Sequence, residues 1–349
     1  MSAKKWTILI IGDKFVRNDL LKAAFDLHMR DIKDEIHYKF LDNIWPDVVH
    51  VDVEDVHEAV GDVDAIVREA GDVDIIVTDV GPIGKRVIDA APRLKLIAVT
   101  RGGPVNVNLK EAEKRGVTVV NLPGRNAKAV AEFTLALILA LVKRIPECHA
   151  GMLQGVWRSD YYLYDKAPEE LEGQVAGLIG FGIIGQLVCP MLKAFGMTVI
   201  ASDPYADPRI MEKHQVESVD LDRLLNRSDV VSIHARVTKE TAGMMGAEQF
   251  KKMKPTAYFI NTARGPLVDY PALSRALKEG WIAGAALDTY DVEPLEPGNP
   301  LLELPNVVLT PHIAGSSKQT ASGCADRIAR EALRFIKNEP LLHVVRSSK

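Results

Sequence analysis

Residues 175–185 read V-A-G-L-I-G-F-G-I-I-G, a short apolar run that passes into three spaced glycines and then into a helical pattern. Gly180, Gly182 and Gly185 fit G-x-G-x-x-G. In that spacing the missing side chains permit a tight turn, close approach to a pyrophosphate, and close packing of helix on strand. Amides at the start of the helix would face the phosphates. Alone the match is weak, because a glycine-rich strand-to-helix turn often holds no ligand. The next apolar run, M-T-V-I-A-S at 197–202, ends at Asp203, twenty-three residues after Gly180. An acid at about that distance can bind a ribose diol, the plainer alternative being a simple D-P turn. Strand, glycines, helix, second strand and terminal acid together point to a dinucleotide site. Asp203 would repel a 2′-phosphate and no Lys or Arg directly follows it, so NAD is favoured over NADP.

The same rhythm extends in both directions. Apolar runs at 7–11, 74–78, 96–100 and 117–121 precede the glycine motif, and others at 229–234, 257–261, 283–288 and 306–310 follow it. Runs rich in Val and Ile, separated by helical patterns, read as parallel strands covered on both faces. The chain is therefore α/β throughout. Phe133–Val142, F-T-L-A-L-I-L-A-L-V, is too short for a bilayer, which needs about 20 residues, and reads as a helix buried between layers. The irregular, Tyr-rich stretch from Gly151 to Gly173 interrupts the rhythm and marks a junction, and a final helix covers roughly 318–337. Pro190, about two turns into the helix after the glycines, deletes a hydrogen bond and should bend it.

Length and composition set bounds. With 349 residues, 47% apolar and 26% charged, two domains with real cores are expected. A net charge of -4 and dispersed basic residues argue against nucleic acid as a partner. Cys148, Cys189 and Cys324 lie far apart with no C-x-x-C pair, which signals neither a disulfide framework nor a metal site. The N-terminal apolar stretch is only strand length and reaches Gly12-Asp13 without a cleavage-type sequence. A cytoplasmic protein with no membrane partner is expected.

Three polar residues follow later strands. Arg264 comes after Y-F-I-N-T-A, Glu293 lies in D-T-Y-D-V-E-P, and His312 follows V-V-L-T-P. Ligands of an open parallel sheet collect beyond the carboxyl ends of its strands, so the three could converge beside a nicotinamide. Singly, each has an innocent reading as a solvated or turn residue. Together they suit hydride chemistry. Imidazole titrates at roughly 6.5 unperturbed and can exchange the proton that accompanies a hydride. A carboxylate partner raises that value and orients the ring, and a guanidinium fork matches a carboxylate.

These segments, with F-I-N-T-A-R-G-P-L-V-D, A-A-L-D-T-Y-D-V-E-P and L-T-P-H-I-A-G, resemble the D-isomer-specific 2-hydroxyacid dehydrogenases, which include phosphoglycerate dehydrogenase and glyoxylate/hydroxypyruvate reductase. The likeness covers nearly the whole chain. It implies two doubly wound parallel-sheet domains, with a Rossmann NAD-binding domain at 122–316 inserted in a discontinuous flavodoxin-like substrate domain at 1–121 and 317–349. The helix from about Ala129 would cross into the nucleotide domain, with substrate in the cleft between domains. The helix 129–144 is where such enzymes dimerise, so a homodimer is implied.

Carried over, Arg264 binds the substrate carboxylate and keto oxygen, His312 exchanges the proton and Glu293 holds His312. Ile183 and Ile184 pack on the cofactor at the glycine turn, Thr262, Ala263 and Arg264 line the nicotinamide side, Asp288 meets the carboxamide, and His312, Ala314 and Gly315 flank the ring. Arg101, Gly102 and Gly103 match a loop whose amides receive the substrate carboxylate.

The chain departs from the family in three places. R-G-G-P-V-N-V-N-L is about one residue shorter than the usual loop and is stiffened by Pro104. Arg125 adds a second cation near the expected cleft, read first as solvent-facing and otherwise as a ligand for a phosphate or a second carboxylate. Arg236 stands where a proline is usual beside the adenosine pocket, and a cation there could help a 2′-phosphate. The expected activity is NAD-dependent hydride transfer between nicotinamide and a small D-2-hydroxy or 2-keto acid. The alternatives are an NADP-using glyoxylate/hydroxypyruvate reductase and an NAD(H)-sensing, corepressor-like binding protein.

Overall fold

The computed structural model describes residues 5–45 and 52–345, so the opening residues 1–4 of the N-terminal reading lie outside it. The chain divides into two compact units, residues 1–125 with 317–349, and residues 126–316. The first crossing therefore falls four residues later than the expected 121/122 boundary, because Arg125 is bonded into the first unit through Leu122 and Asp79. The second crossing lies between Ser316 and Ser317.

The first unit carries a five-stranded parallel sheet of β1 (Trp6–Gly12), β2 (Ile36–Asp42), β3 (Ile75–Thr78), β4 (Leu96–Val99) and β5 (Thr118–Val120), ordered 2-1-3-4-5. That is the flavodoxin-like order. Side chains alternate across the sheet as strand geometry requires. Ile8 and Ile10 enter one core with Phe25, Ile328 and Ala332, while Leu9 and Ile11 enter another with Ile66, Val87 and Ala112. The helices Asn18–His28 and Lys318–Ile336 cover the first face. The final helix thus returns to complete the first unit, burying Cys324, Ile328 and Ala332 along one stripe.

The second unit carries a seven-stranded parallel sheet: β6 (Val175–Ile179), β7 (Thr198–Ser202), β8 (Glu217–Ser218), β9 (Val230–Ile233), β10 (Tyr258–Asn261), β11 (Gly284–Leu287) and β12 (Val307–Leu309). The order is β12-β11-β10-β9-β6-β7-β8, so the winding reverses between β6 and β9, the switch point at which doubly wound sheets bind nucleotides. The apolar helix Ala127–Val142 packs on one face against the helix Ile183–Ala194. The latter runs through Pro190 to Ala194 without interruption.

Two sequence readings need correction. The stretch 151–173 is no junction between domains. It lies wholly within the second unit as a surface arm, held by Arg158, which pairs with Glu147 at 2.7 Å and Asp160 at 2.9 Å. Strands β2 and β8 escaped the apolar-run reading because both are edge strands. In I-H-Y-K-F-L-D polar and apolar residues intermix, and none of the seven is fully buried.

The C-terminal helix supplies part of the first unit's core, with Ile328 completely buried. Ile328→Ala should cost about 2–5 kcal/mol. Hydrogen exchange should accelerate in β1 and Asn18–His28 while β6 and β10 keep their protection.

Candidate active site

The glycine turn shows three separate demands. Gly180 has φ +92°, and a Cβ there would meet Ala235 N and the His234 carbonyl carbon at 2.9 Å. A Cβ on Gly185 would meet the Gly180 carbonyl oxygen at 2.6 Å. Gly182 faces open space, with nothing within 4 Å of where its Cβ would stand. The first two glycines are required by the protein's own packing. The third leaves room for a ligand to approach the backbone. Gly182 also caps the helix Ile183–Ala194, whose first amides have no intrahelical acceptor. Pyrophosphate fits this cradle. Ile183 is exposed at the turn, whereas Ile184 packs partly into the unit's core.

Asp203 directly follows β7 and braces the turn. One carboxylate oxygen accepts the Phe181 amide at 2.8 Å, and the other accepts Tyr205 N at 2.9 Å. At the end of β9, His234 shares a 3.0 Å hydrogen bond between Nε2 and the Ser232 hydroxyl, and burial pulls its pKa down to about 4. That ring is neutral at physiological pH. Arg236 is exposed.

Beyond β10, Asn261 builds the turn that presents Arg264. Its side chain accepts the Ala263 amide at 3.0 Å and donates to the Arg264 carbonyl at 3.1 Å. Gly265 then lies against another turn so closely that any Cβ would overlap the Tyr290 carbonyl. Tyr290 binds this second turn to the next strand end, donating from its hydroxyl to the carbonyls of Leu287 at 3.1 Å and Thr310 at 2.9 Å. Tyr270 ties in from the helix Tyr270–Lys278 by donating to the Thr289 carbonyl. Gly265, Tyr270 and Tyr290 were not singled out from sequence. The glycine directly after Arg264 was the available signal.

Glu293 and His312 meet directly: Glu293 Oε2 lies 2.7 Å from His312 Nδ1, and both side chains are largely but not wholly buried. The other oxygen of Glu293 accepts Tyr290 N at 2.9 Å. His312 has φ +54°, a left-handed conformation that a non-glycine residue adopts only under constraint. Asp288 supplies that constraint. Fully buried, it accepts the Thr310 hydroxyl at 2.6 Å and the amides of Ile313 at 2.9 Å and Ala314 at 2.8 Å. In this chain Asp288 therefore holds the 310–314 loop. Thr262, also buried, shares a 2.8 Å hydroxyl bond with Thr134 beside half-buried Ala263. Gly315 lies against the Asn126 side chain, whose amide end would have to move aside for a Cβ.

Arg264 is exposed, and its guanidinium donates to the Ala263 carbonyl at 2.8 Å. Among the described residues it pairs with no carboxylate. Two first-unit cations differ. Arg101 donates to the Glu58 carbonyl at 2.8 Å and is also paired with the Glu58 carboxylate. The parts of its loop open to a ligand are the Gly102 and Gly103 amides, which donate to no acceptor among the described residues. Arg125 is not solvent-facing: its side chain is 15% exposed and pairs with Asp79, which is 2% exposed. Its first reading failed because sequence does not reveal that a buried carboxylate beyond β3 needs a partner.

A family model for the D-isomer specific 2-hydroxyacid dehydrogenase NAD binding domain matches residues 135–314. A glyoxylate reductase of Korarchaeum cryptofilum is 38% identical over 307 residues, 88% of this chain and 89% of that protein. A D-3-phosphoglycerate dehydrogenase of Archaeoglobus fulgidus is 41% identical over 256 residues, 73% of this chain and 48% of its own longer one. The NAD-complexed crystal structure of a D-isomer specific 2-hydroxyacid dehydrogenase from Lactobacillus delbrueckii ssp. bulgaricus superposes with a TM-score of 0.77, at 26% identity, over 97% of this chain and 100% of that one. With a nucleotide cradle, a braced Arg264 turn and a His312–Glu293 pair beyond adjacent strands, this chain belongs to the D-isomer specific 2-hydroxyacid dehydrogenases, NAD-dependent oxidoreductases that transfer hydride between nicotinamide and 2-hydroxy or 2-keto acids.

Proposed function

We propose that the chain is a cytoplasmic, homodimeric enzyme for a small D-2-hydroxy acid and its 2-keto partner, with Arg264 holding the carboxylate and His312 exchanging the proton. The observation that carries this reading is the 2.7 Å contact between Glu293 and His312 Nδ1. It fixes the ring and directs Nε2, the nitrogen on the far side from the carboxylate, to substrate. NAD, when bound, supplies or accepts the hydride. In the reducing direction, the carbonyl oxygen takes a proton from the His312 imidazolium while Glu293 stabilises the charge held on the ring. Arg264 contributes a fork of donors to the carboxylate and keto oxygen, and the Gly102 and Gly103 amides are further donors to the carboxylate. Ile183 packs on the cofactor, while Thr262, Ala263, Ala314 and Gly315 form the nicotinamide side.

Two finer points rest on separate features. Three free cysteines, two of them buried, suit a reducing compartment. For the dimer, large apolar side chains crowd the surface arm: Met152, Leu153, Trp157, Tyr162, Leu163 and Tyr164 are all more than half exposed. A groove of about 840 Å³ lies beside them, lined by Arg144, Tyr161, Tyr258 and Asn306. A second copy of the chain is the partner proposed for this surface.

Arg264→Ala should lower kcat/KM for a responsive 2-keto acid on the order of 10³-fold, the scale of losing a charge-assisted bidentate contact. NADH affinity, followed by its fluorescence, should stay nearly unchanged; equal loss of both would make the residue structural. Glu293→Gln should reduce kcat roughly 10²-fold. NADH binding with no turnover on glyoxylate, hydroxypyruvate or other 2-keto acids would favour the binding-protein alternative. Trp157→Asp, at a site 76% exposed, should leave the fold intact and yield monomers by light scattering. A wild-type monomer would remove the dimer from the proposal.

A further inference from the structure

The first unit contains a buried ionic cluster that the proposed reaction does not use. Asp13, just beyond β1, is 5% exposed. Its Oδ1 accepts the amides of Phe15 and Val16, both at 2.7 Å, but its buried Oδ2 finds no hydrogen-bond partner among the described residues. Asp79, just beyond β3, accepts the Thr100 hydroxyl at 2.6 Å and pairs with Arg125. Arg125 donates also to the Thr100 carbonyl at 3.2 Å and packs over the Phe15 ring, 5.9 Å from its centroid. Asn106 donates to the carbonyls of Asp79 at 3.2 Å and Gly81 at 2.8 Å, stitching the two loops together. Thr100 directly precedes Arg101–Gly103, and Arg125 is the last residue before the chain crosses to the second unit.

Of the two buried carboxylates Arg125 pairs with Asp79 alone, and it reaches the Asp13 loop through the ring of Phe15, whose amide Asp13 holds. A buried anion with an unpartnered oxygen is costly, and a neutral carboxyl relieves that cost. Burial, and after it the charge of Asp79, push the Asp13 carboxyl up to about 6, against the pull of its two amide donors and Arg125. The other groups nearby do not neutralise it. Lys14 and the Arg17–Asp19 pair are exposed on its own loop, and Asp42 at the end of β2 is bonded to Asn18. From the C-terminal helix comes the Cys324 thiol, 3.9 Å from Arg125, with its pKa raised by burial.

We propose that Asp13 is a proton-dependent positioning residue for the substrate loop. When neutral, it leaves Arg125 to Asp79 and Thr100, and the backing of the Gly102–Gly103 amides is firm. When ionised, the buried anion draws on the Phe15 loop and on the guanidinium stacked over it, and the Thr100 contacts loosen. The catalytic consequence rests on the carboxylate-binding role proposed for those amides. The folded-state pKa lies above the ordinary 3.8, so the stabilisation is complete below that value and is lost as pH rises to about 6. Above about 6 the enzyme carries the full penalty of the buried anion.

Asp13→Asn tests this, because its carbonyl can still accept the Phe15 and Val16 amides while its NH₂ group replaces a protonated Oδ2. Thermal midpoints of both proteins would be measured from about pH 4.5 to about pH 8, with kcat and KM for glyoxylate under NADH. The variant's advantage in midpoint should grow as pH rises toward about 6 and level off above it. Wild-type KM should rise on the order of threefold over that interval, while the variant lacks the rise. Changes in kcat with pH that are common to both proteins do not bear on Asp13. Parallel thermal curves would overturn the proposal, as would diverging thermal curves with identical KM profiles. If the variant does not fold, ¹³C-carboxyl titration of the wild-type chain decides: an Asp13 midpoint below about 5 ends the idea. Failure to turn over any 2-keto acid would instead sink the enzymatic reading, leaving the thermal and carboxyl titrations to judge Asp13.

Discussion

Gly265 lies so close to the Tyr290 carbonyl that no side chain can stand between them, and the second unit's site is built around that approach. The turn after β10 and the turn after β11 pack backbone to backbone. This places the Arg264 turn against the segment whose Tyr290 amide is bound by Glu293, and Glu293 in turn reaches His312 beyond β12. Three strand ends thereby become one rigid assembly. Hydroxyls of Tyr270 and Tyr290, with the carboxylate of Asp288, satisfy polar backbone that would otherwise be buried unpaired. Such preorganisation suits a site in which small displacements of a reacting group are costly.

Charge is distributed to match. In the first unit Arg101 is bound to Glu58 and Arg125 to Asp79, so both guanidiniums stabilise the protein's own anions. In the second, Arg264 has only a neighbouring carbonyl as an acceptor among the residues described. An arginine held without an internal carboxylate, on a turn fixed from both sides, is the one for which an external carboxylate is proposed. In the first unit, the Gly102 and Gly103 amides donate to no acceptor among the residues described.

Much of the fold was legible because buried parallel strands need continuous apolar runs, and ten of the twelve strands among the described residues announced themselves that way. The two that did not, β2 and β8, are edge strands relieved of that requirement by exposure. The Gly151–Gly173 stretch misled for a related reason. Loss of strand rhythm marks a departure from a sheet, and an arm on one domain interrupts it as well as a linker between two does. Arg125 misled because its partner Asp79 is 46 residues away in sequence.

By itself, the sequence determined the alternation of parallel strands and helices, the nucleotide cradle and the residue types of the chemistry, because strand burial, glycine spacing and strand-end residues are local constraints; the two doubly wound domains came from the family resemblance. Tertiary structure decided which charges are available. Glu58, Asp79 and Glu293 find their partners only when distant strand ends are assembled, so pairing could not be read along the chain. It is this pairing that separates Arg264 from Arg101 and Arg125, sets Glu293 on His312, and leaves one oxygen of Asp13 buried without a hydrogen-bond donor among the described residues.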